Sequence, residues 1–355
     1  MEKTIFLTGS TGFVGSYLLI KLLNLNYKVI VLARPKEKTP QERIYDIIKF
    51  WDKELVNKLK NLTIFKGDIT LNNLGLDKIS KKILISNTDE IFHCAATTKF
   101  NLPLEEIRKI NTEGTKNVLD IALECKNLKK VNHISTAFVS GNYKGIFKET
   151  DLDLKQGFDT TYEQSKFEAE KLVEKYRKKI WIDVFRPPLI IGDSKTGKTT
   201  TFQNAFYQVM HYWSLELFDV FPAKGINVNL IPIDVLIEAI LKINKNSEIK
   251  NQTYHPFSSE TIALDDFLYR VSKLIGFKMP DIIKFDELDI NKLTPTQKLL
   301  LMNNISLFNP YLKLDSTFTV NLLKNYGFEF PKITDKLDII IKYPFSVKFK
   351  EEVKN

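Results

Sequence analysis

Thr4-Ile5-Phe6-Leu7-Thr8-Gly9-Ser10-Thr11-Gly12-Phe13-Val14-Gly15 opens the chain with an apolar run and a glycine-spaced turn, and leads into an amphipathic segment from Phe13 to Leu25. The order reads as strand, tight loop, helix. Gly9 lets the chain turn sharply out of the strand. Gly12 has no Cβ, so a pyrophosphate can approach the amides at the helix N-terminus, and Gly15 lets the helix lie close on the sheet. Spaced glycines also occur in plain turns. The flanking strand and helix are what make Gly9, Thr11, Gly12, Phe13, Val14 and Gly15 candidate dinucleotide contacts.

Working outward, strand-like runs recur at Ile5–Leu7, Val29–Leu32, Leu62–Phe65, Glu90–His93, Val131–Ile134 and Ile182–Phe185. Helix-like segments lie between them, most clearly Pro40–Lys60, Leu104–Glu124 and Tyr162–Lys179. The alternation predicts an α/β chain with a Rossmann-type doubly wound parallel sheet and right-handed crossovers. Ligands then sit at the carboxyl ends of the strands. We expect residues 1–190 to form the nucleotide-binding domain. Residues 191–355 mainly form a smaller C-terminal substrate-binding lobe, with about 226–250 returning to the first domain.

The 355 residues suffice for a large core, and 43% hydrophobic with 27% charged residues is ordinary for a globular protein. The net charge of +9 comes from 52 Lys+Arg scattered among 43 Asp+Glu. It suits solubility or an anionic ligand such as a phosphorylated cofactor, and argues against nucleic acid as the partner. Two cysteines, Cys94 and Cys125, make no disulfide framework and fit a reducing cytoplasm. No apolar run reaches the roughly 18 residues of a membrane helix, so no integral membrane contact is expected. The early first strand leaves no room for a signal peptide.

The end of the second strand bears on the cofactor. An Asp or Glu there binds the ribose 2′-hydroxyl in NAD enzymes. Here the residues are Val31-Leu32-Ala33-Arg34-Pro35-Lys36, with Arg34 in the acid's place. A guanidinium pairs bidentately with a 2′-phosphate, which favours NADP(H) over NAD(H). The plain alternative is a surface arginine indifferent to the cofactor. In Lys66-Gly67-Asp68-Ile69-Thr70, Asp68 can accept from an adenine amino group or cap the next turn, and Ile69 follows it. Cys94, Ala95 and Ala96 put small side chains where a dinucleotide would cross the sheet edge. We read Cys94 as packing, not as a nucleophile.

Three further pieces belong together. Asn111 lies in a helix-like segment. His133-Ile134-Ser135-Thr136 ends the fifth strand with two hydroxyls. Tyr162-Glu163-Gln164-Ser165-Lys166 opens a helix, with Tyr162 and Lys166 four apart on one face. A free tyrosine ionises near ~10, and a neighbouring ammonium favours the phenolate. Tyr162 is then a candidate proton donor and acceptor near neutral pH. A lone Tyr-x-x-x-Lys is weak in a lysine-rich chain; its weight comes from following the glycine loop and the Ser-Thr strand end.

TGSTGFVG, GDIT, HCAA, NTEGTKNVL, HISTAFVSG, YEQSKFEAEKLV and RPPLIIGDSKTG, in this order over roughly residues 1–200, resemble the extended short-chain dehydrogenase/reductases. Within them the chain is most similar to the branch of thioester reductase domains and fatty acyl-CoA reductases, through GDIT with Asn73-Leu74-Gly75-Leu76, HCAATT and GDSKTG. The resemblance implies a Ser/Thr, Tyr, Lys triad of Thr136, Tyr162 and Lys166, with Ser135 as the alternative hydroxyl. It implies that Pro188, Leu189 and Ile190 flank the nicotinamide. It implies reduction of an acyl thioester on coenzyme A or a carrier protein, to aldehyde or alcohol. Ketone or aldehyde reduction, nucleotide-sugar epimerisation and a non-catalytic dinucleotide sensor are the alternatives. No adenylation, carrier or large helical C-terminal domain is expected alongside it.

Gly192-Asp193-Ser194-Lys195-Thr196-Gly197-Lys198-Thr199 fits the phosphate-loop pattern letter for letter. Pro187 and Pro188 interrupt the strand before it, and no acidic metal-binding strand follows, so nucleotide hydrolysis is disfavoured. Lys195 and Lys198 are either solvated or meet phosphates of a coenzyme A tail. Farther on, Phe202, Phe206, Tyr207, Trp213, Phe218 and Phe221 read as lobe core that could border an apolar acyl pocket. Ile262–Ile275 reads as a helix.

Overall fold

The structure, a computed structural model, describes residues 3–99, 102–351 and 353. Its centre is a parallel sheet. β1 (Thr4–Thr8), β2 (Lys28–Ala33), β3 (Leu62–Lys66), β4 (Glu90–His93) and β5 (Lys130–Ile134) are joined by strands Ile182–Phe185 and Thr253–Tyr254. From one edge the order is Thr253–Tyr254, Ile182–Phe185, β5, β4, β1, β2, β3. Every neighbouring pair runs parallel. β1, β4 and β5 are buried along their whole length. Covered on both faces, they show no alternation of buried and exposed positions, and Glu90, His93, Lys130, Asn132 and His133 are buried along with their apolar neighbours. Strand order reverses between β1 and β4, which opens the crevice where doubly wound sheets bind ligands.

The helices depart from the expected bounds for local reasons. α1 spans Phe13–Asn24. α2 spans Pro40–Trp51 behind a Thr39/Glu42 capping box. The expected helix through Lys60 breaks at Asp52, whose carboxylate accepts the Glu54 and Leu55 amides and restarts the chain as a 3₁₀ stretch, Lys53–Asn61. A short side-chain acceptor competes with the helical ladder in this way. After α3 (Lys78–Asn87), the single helix expected over Leu104–Glu124 is α4 (Leu104–Arg108), a π turn (Lys109–Glu113) and α5 (Gly114–Glu124). α6, Thr161–Tyr176, starts from a Thr160/Glu163 capping box.

Beyond residue 186 the chain builds two things. Leu189–Ile191 pairs in parallel with Leu230–Pro232, and helix Ile233–Asn246 packs its Leu236, Ile240 and Ile243 into the core that holds Leu18, Leu19 and Leu22 of α1. The aromatic run forms a second core. Phe202, Phe206, Tyr207, Trp213, Phe218 and Phe221 are buried with helices Leu264–Ile275 and Leu337–Ser346. The helix expected from Ile262 begins at Leu264, because Ile262–Ala263 pairs with Asn227–Val228. Among the described residues no helix is long and apolar enough to cross a membrane.

Candidate active site

The glycine turn is built by close packing. A Cβ on Gly9, which has φ +73°, would lie 2.6 Å from Ala95 N, and one on Gly15 would lie 2.2 Å from Gly9 O. On Gly12 it would meet only Gly9 O, at 3.3 Å. Gly12 is the N-cap of α1 and no side chain caps that end, so its first-turn amides face the crevice without a side-chain acceptor. Gly15→Ala should therefore cost about 1–3 kcal/mol by overpacking, read as a fall in thermal midpoint. Gly12→Ala should spare the midpoint and weaken dinucleotide binding.

At the end of β2, Arg34 is half-exposed and its guanidinium pairs with Asp68 at 3.6 Å. The other oxygen of Asp68 accepts the Thr70 amide and hydroxyl, each at 2.9 Å, so Asp68 also caps its turn. Ile69 is buried against Gly114, and its carbonyl accepts from Asn117 Nδ2 at 2.7 Å. Sequence reasoning missed Arg43. It is buried, donating from Nη1 to Arg34 O (2.7 Å) and from Nη2 to Thr11 Oγ1 (3.1 Å). Among the described residues no carboxylate pairs with it. Burial and then the Arg34 charge pull its pKa down, and Lys36 is lowered by burial and by Arg43, Arg34 and Lys99. The signal was available: Arg43 interrupts the buried stripe of Pro40, Ile44, Ile47 and Ile48.

Beside the glycine turn, Cys94 and Ala95 are half-buried and Ala96 is exposed. Burial pushes the Cys94 thiol up to about 12, which leaves it protonated and no nucleophile. Asn111 is buried in the π turn. Its Oδ1 accepts the Thr97 amide (2.8 Å), and its Nδ2 donates to Thr97 O and Ser165 Oγ, both at 3.0 Å. It ties the loop after β4 to α6 instead of pointing a free amide at the crevice. A π turn at such a place is a recurrent device for aiming one side chain.

The triad residues meet. The Thr136 hydroxyl lies beside the Tyr162 phenol and accepts the Phe138 amide at 3.2 Å. Lys166 is 2% exposed and donates from Nζ to Ile134 O at 3.0 Å. Burial lowers its pKa to about 8, against the opposing pull of Glu170. Tyr162 behaves otherwise than the spacing implied. Burial raises it to about 12, the neighbouring Thr136 hydroxyl only partly opposes this, and it stays a neutral phenol at pH 7. The reason is geometric: Lys166 turns its amine to the β5 carbonyl. Ser135 is turned the other way, donating to Glu170. Pro188 and Leu189 are buried and Ile190 is half-buried; Pro187 O accepts the Ala137 amide at 2.9 Å, which sets this segment beside Thr136.

The phosphate-like loop is filled by its own side chain. Asp193 Oδ1 accepts the Lys195 and Thr196 amides at 3.0 and 2.9 Å, and Oδ2 accepts from Tyr17 Oη at 2.8 Å. A carboxylate thus occupies the place a phosphate would need. Lys198 donates to Phe50 O at 3.3 Å and lies over the Phe50 ring, while Lys195 is exposed.

The male sterility protein model, an NAD-binding family, matches residues 7–240. The chain belongs to this family. Fatty acyl-CoA reductase 1 of Rattus norvegicus is 39% identical over 153 residues, covering 41% of this chain and 30% of that protein. Fatty acyl-CoA reductase wat of Drosophila melanogaster is 28% identical over 276 residues, covering 68% and 53%. The chain spans about half or less of the length of these family relatives. The terminal R domain of the myxalamid PKS-NRPS pathway superposes with TM-score 0.84 at 24% identity, covering 99% of this chain and 93% of that one. UDP-glucuronic acid 4-epimerase of Bacillus cereus superposes with TM-score 0.70 at 20% identity, covering 97% and 99%. Both likenesses establish the Rossmann-type fold.

Proposed function

We propose that the chain is an NADPH-dependent reductase of acyl thioesters, the acyl group being carried on coenzyme A or a carrier protein. The observation that carries the reading is the convergence of three buried side chains: Thr136 at the end of β5, Tyr162 beside it, and Lys166 one helical turn behind, donating to Ile134 O. Cys94 links this group to the glycine turn: its backbone touches Gly9, and its thiol lies in the field of Lys166. The names of the family relatives favour a fatty acyl group, and the aromatic core from residue 202 suits an apolar chain. The division at residue 190, with the later segments completing a substrate lobe, belongs to the same proposal.

The chain fits a nicotinamide dinucleotide. Gly12 leaves the α1 amides open to a pyrophosphate, and Arg34, Lys36 and Arg43 gather where a 2′-phosphate would lie. Bound there, the reduced nicotinamide supplies a hydride to the thioester carbonyl carbon. Thr136 and Tyr162 donate hydrogen bonds to the oxygen as charge develops on it, the interaction that usually contributes most to such reactions. As the C=O bond re-forms, the C–S bond breaks, the thiolate leaves and an aldehyde results. In a second reduction Tyr162, protonated at neutral pH, gives its proton to the alkoxide. Lys166 holds the ribose and keeps a positive charge behind the phenol.

Mixing the protein with NADPH and a panel of acyl-CoAs, ketones and nucleotide sugars tests this. We expect NADPH oxidation with acyl-CoA and release of free thiol. Turnover of ketones or sugars with none of thioesters overturns the reading.

A further inference from the structure

Glu170 lies one turn beyond Lys166 on α6 and is 1% exposed. Its carboxylate accepts from Ser135 Oγ, from Arg186 Nη2 at 2.7 Å and from Arg186 Nε at 3.0 Å. Arg186 is 2% exposed; its Nη1 donates to Asp151 O at 2.7 Å, and its guanidinium lies over the Phe147 ring. A buried ion pair of this kind is poor evidence for stability, because desolvation offsets most of the attraction. Its position is more informative. It fastens together the three segments that carry the proposed chemistry: the end of β5 with Thr136, the helix with Tyr162 and Lys166, and the strand end that runs into Pro187–Ile190.

The surroundings of Lys166 make Glu170 its chief charged neighbour. On α6 itself stand Tyr162, a neutral phenol, and Glu170. From the end of β4 comes His93, which burial holds at about 3, and just past it Cys94, a protonated thiol. From β5 comes His133, held well below the usual imidazole range by burial. From the end of strand Ile182–Phe185 comes the Arg186 cation, paired to Glu170. With Tyr162, Cys94, His93 and His133 neutral and Arg186 paired to it, Glu170 is the anion that opposes the desolvation of Lys166.

We infer that Glu170, held by Ser135 and Arg186, is a positioning residue for the reduction: it ties α6 to the end of β5, so that Lys166 meets Ile134 O and stands beside Thr136 and Tyr162. The inference rests on the reductase reading above. It also gives Ser135 a role distinct from oxyanion donor.

The test joins two measurements. The first is the pKa of Lys166, followed by carbon NMR of labelled lysine on the unliganded protein. It does not depend on which reaction the protein performs. The second is the pH profile of kcat/KM for NADPH-driven turnover. In Glu170→Gln the Lys166 pKa should fall by about one unit. The alkaline limb, where the ammonium is lost, should move down with it, and kcat should drop at least tenfold. Glu170→Asp should recover part of each. Glu170→Gln/Arg186→Gln leaves no unpaired buried guanidinium, so it guards against misfolding, and it should show the same direction of shift. An unmoved Lys166 pKa in a folded variant overturns the inference. So does a shifted pKa with a turnover profile of wild-type shape. A shifted pKa in a protein with no thioester turnover at all also removes the positioning role, and points to failure of the reductase reading instead.

Discussion

Tyr162→Phe is expected to bind NADPH as the wild type does and to turn over about 10²–10⁴-fold more slowly. That corresponds to roughly 3–5 kcal/mol of transition-state stabilisation. The substitution removes one buried hydroxyl and keeps the ring. Thr136 retains its bond from the Phe138 amide, and α6 retains its capping box, so the fold has no reason to change. The oxyanion loses one of two donors, and a second hydride step loses its proton source. Because Tyr162 ionises only near 12, its titration should leave no mark on the rate between about pH 6 and 9. An alkaline limb in that range instead reports Lys166, near 8. Stopped-flow absorbance at the NADPH band and a fluorescence titration of cofactor binding check both halves. Turnover equal to wild type would remove Tyr162 from the mechanism.

What was legible in the sequence follows from burial on both faces. β4 and the strand Ile182–Phe185 match the expected bounds to the residue: each has an apolar centre fit for a sheet covered on both sides, although Glu90, His93 and Asp183 are buried with it. The seventh strand is two residues long, Thr253–Tyr254, too short to leave a pattern. The break at Asp52 and the π turn around Asn111 turn on where one side chain finds a backbone partner, and hydrophobic periodicity does not encode that. The triad was legible as spacing, and the directions of its side chains were not. Which way Ser135 faces, and whether Lys166 reaches toward Tyr162 or toward Ile134 O, depend on contacts between elements distant in the chain. The phenol was read in the wrong direction for the same reason: spacing suggests the ammonium, and only packing reveals the burial that outweighs it.

Arg43→Ala is expected to raise KM for NADPH about 10–100-fold and to leave KM for NADH nearly unchanged, the loss of one or two charge-assisted hydrogen bonds at ~1.5–3 kcal/mol. Arg43 is a buried cation with no carboxylate partner among the described residues; a backbone carbonyl and Thr11 hold its guanidinium. Arg34 and Lys36 share its field, and Asp68 pairs with Arg34. Like charges held together in this way lower one another's pKa, and a dianionic phosphate between them would relieve that repulsion. The 2′-phosphate of adenosine is such a group, and the contact from Arg43 to Thr11 sets it next to the glycine turn. A thermal-shift comparison separates this from a purely structural role. 2′-AMP should stabilise the wild type more than 5′-AMP does, and Arg43→Ala should erase the difference. Arg34→Ala, at a more exposed cation already paired with Asp68, should show the same trend at smaller size, since solvent screens it. Equal use of NADH and NADPH by the wild type would overturn the assignment of this cluster to a phosphate.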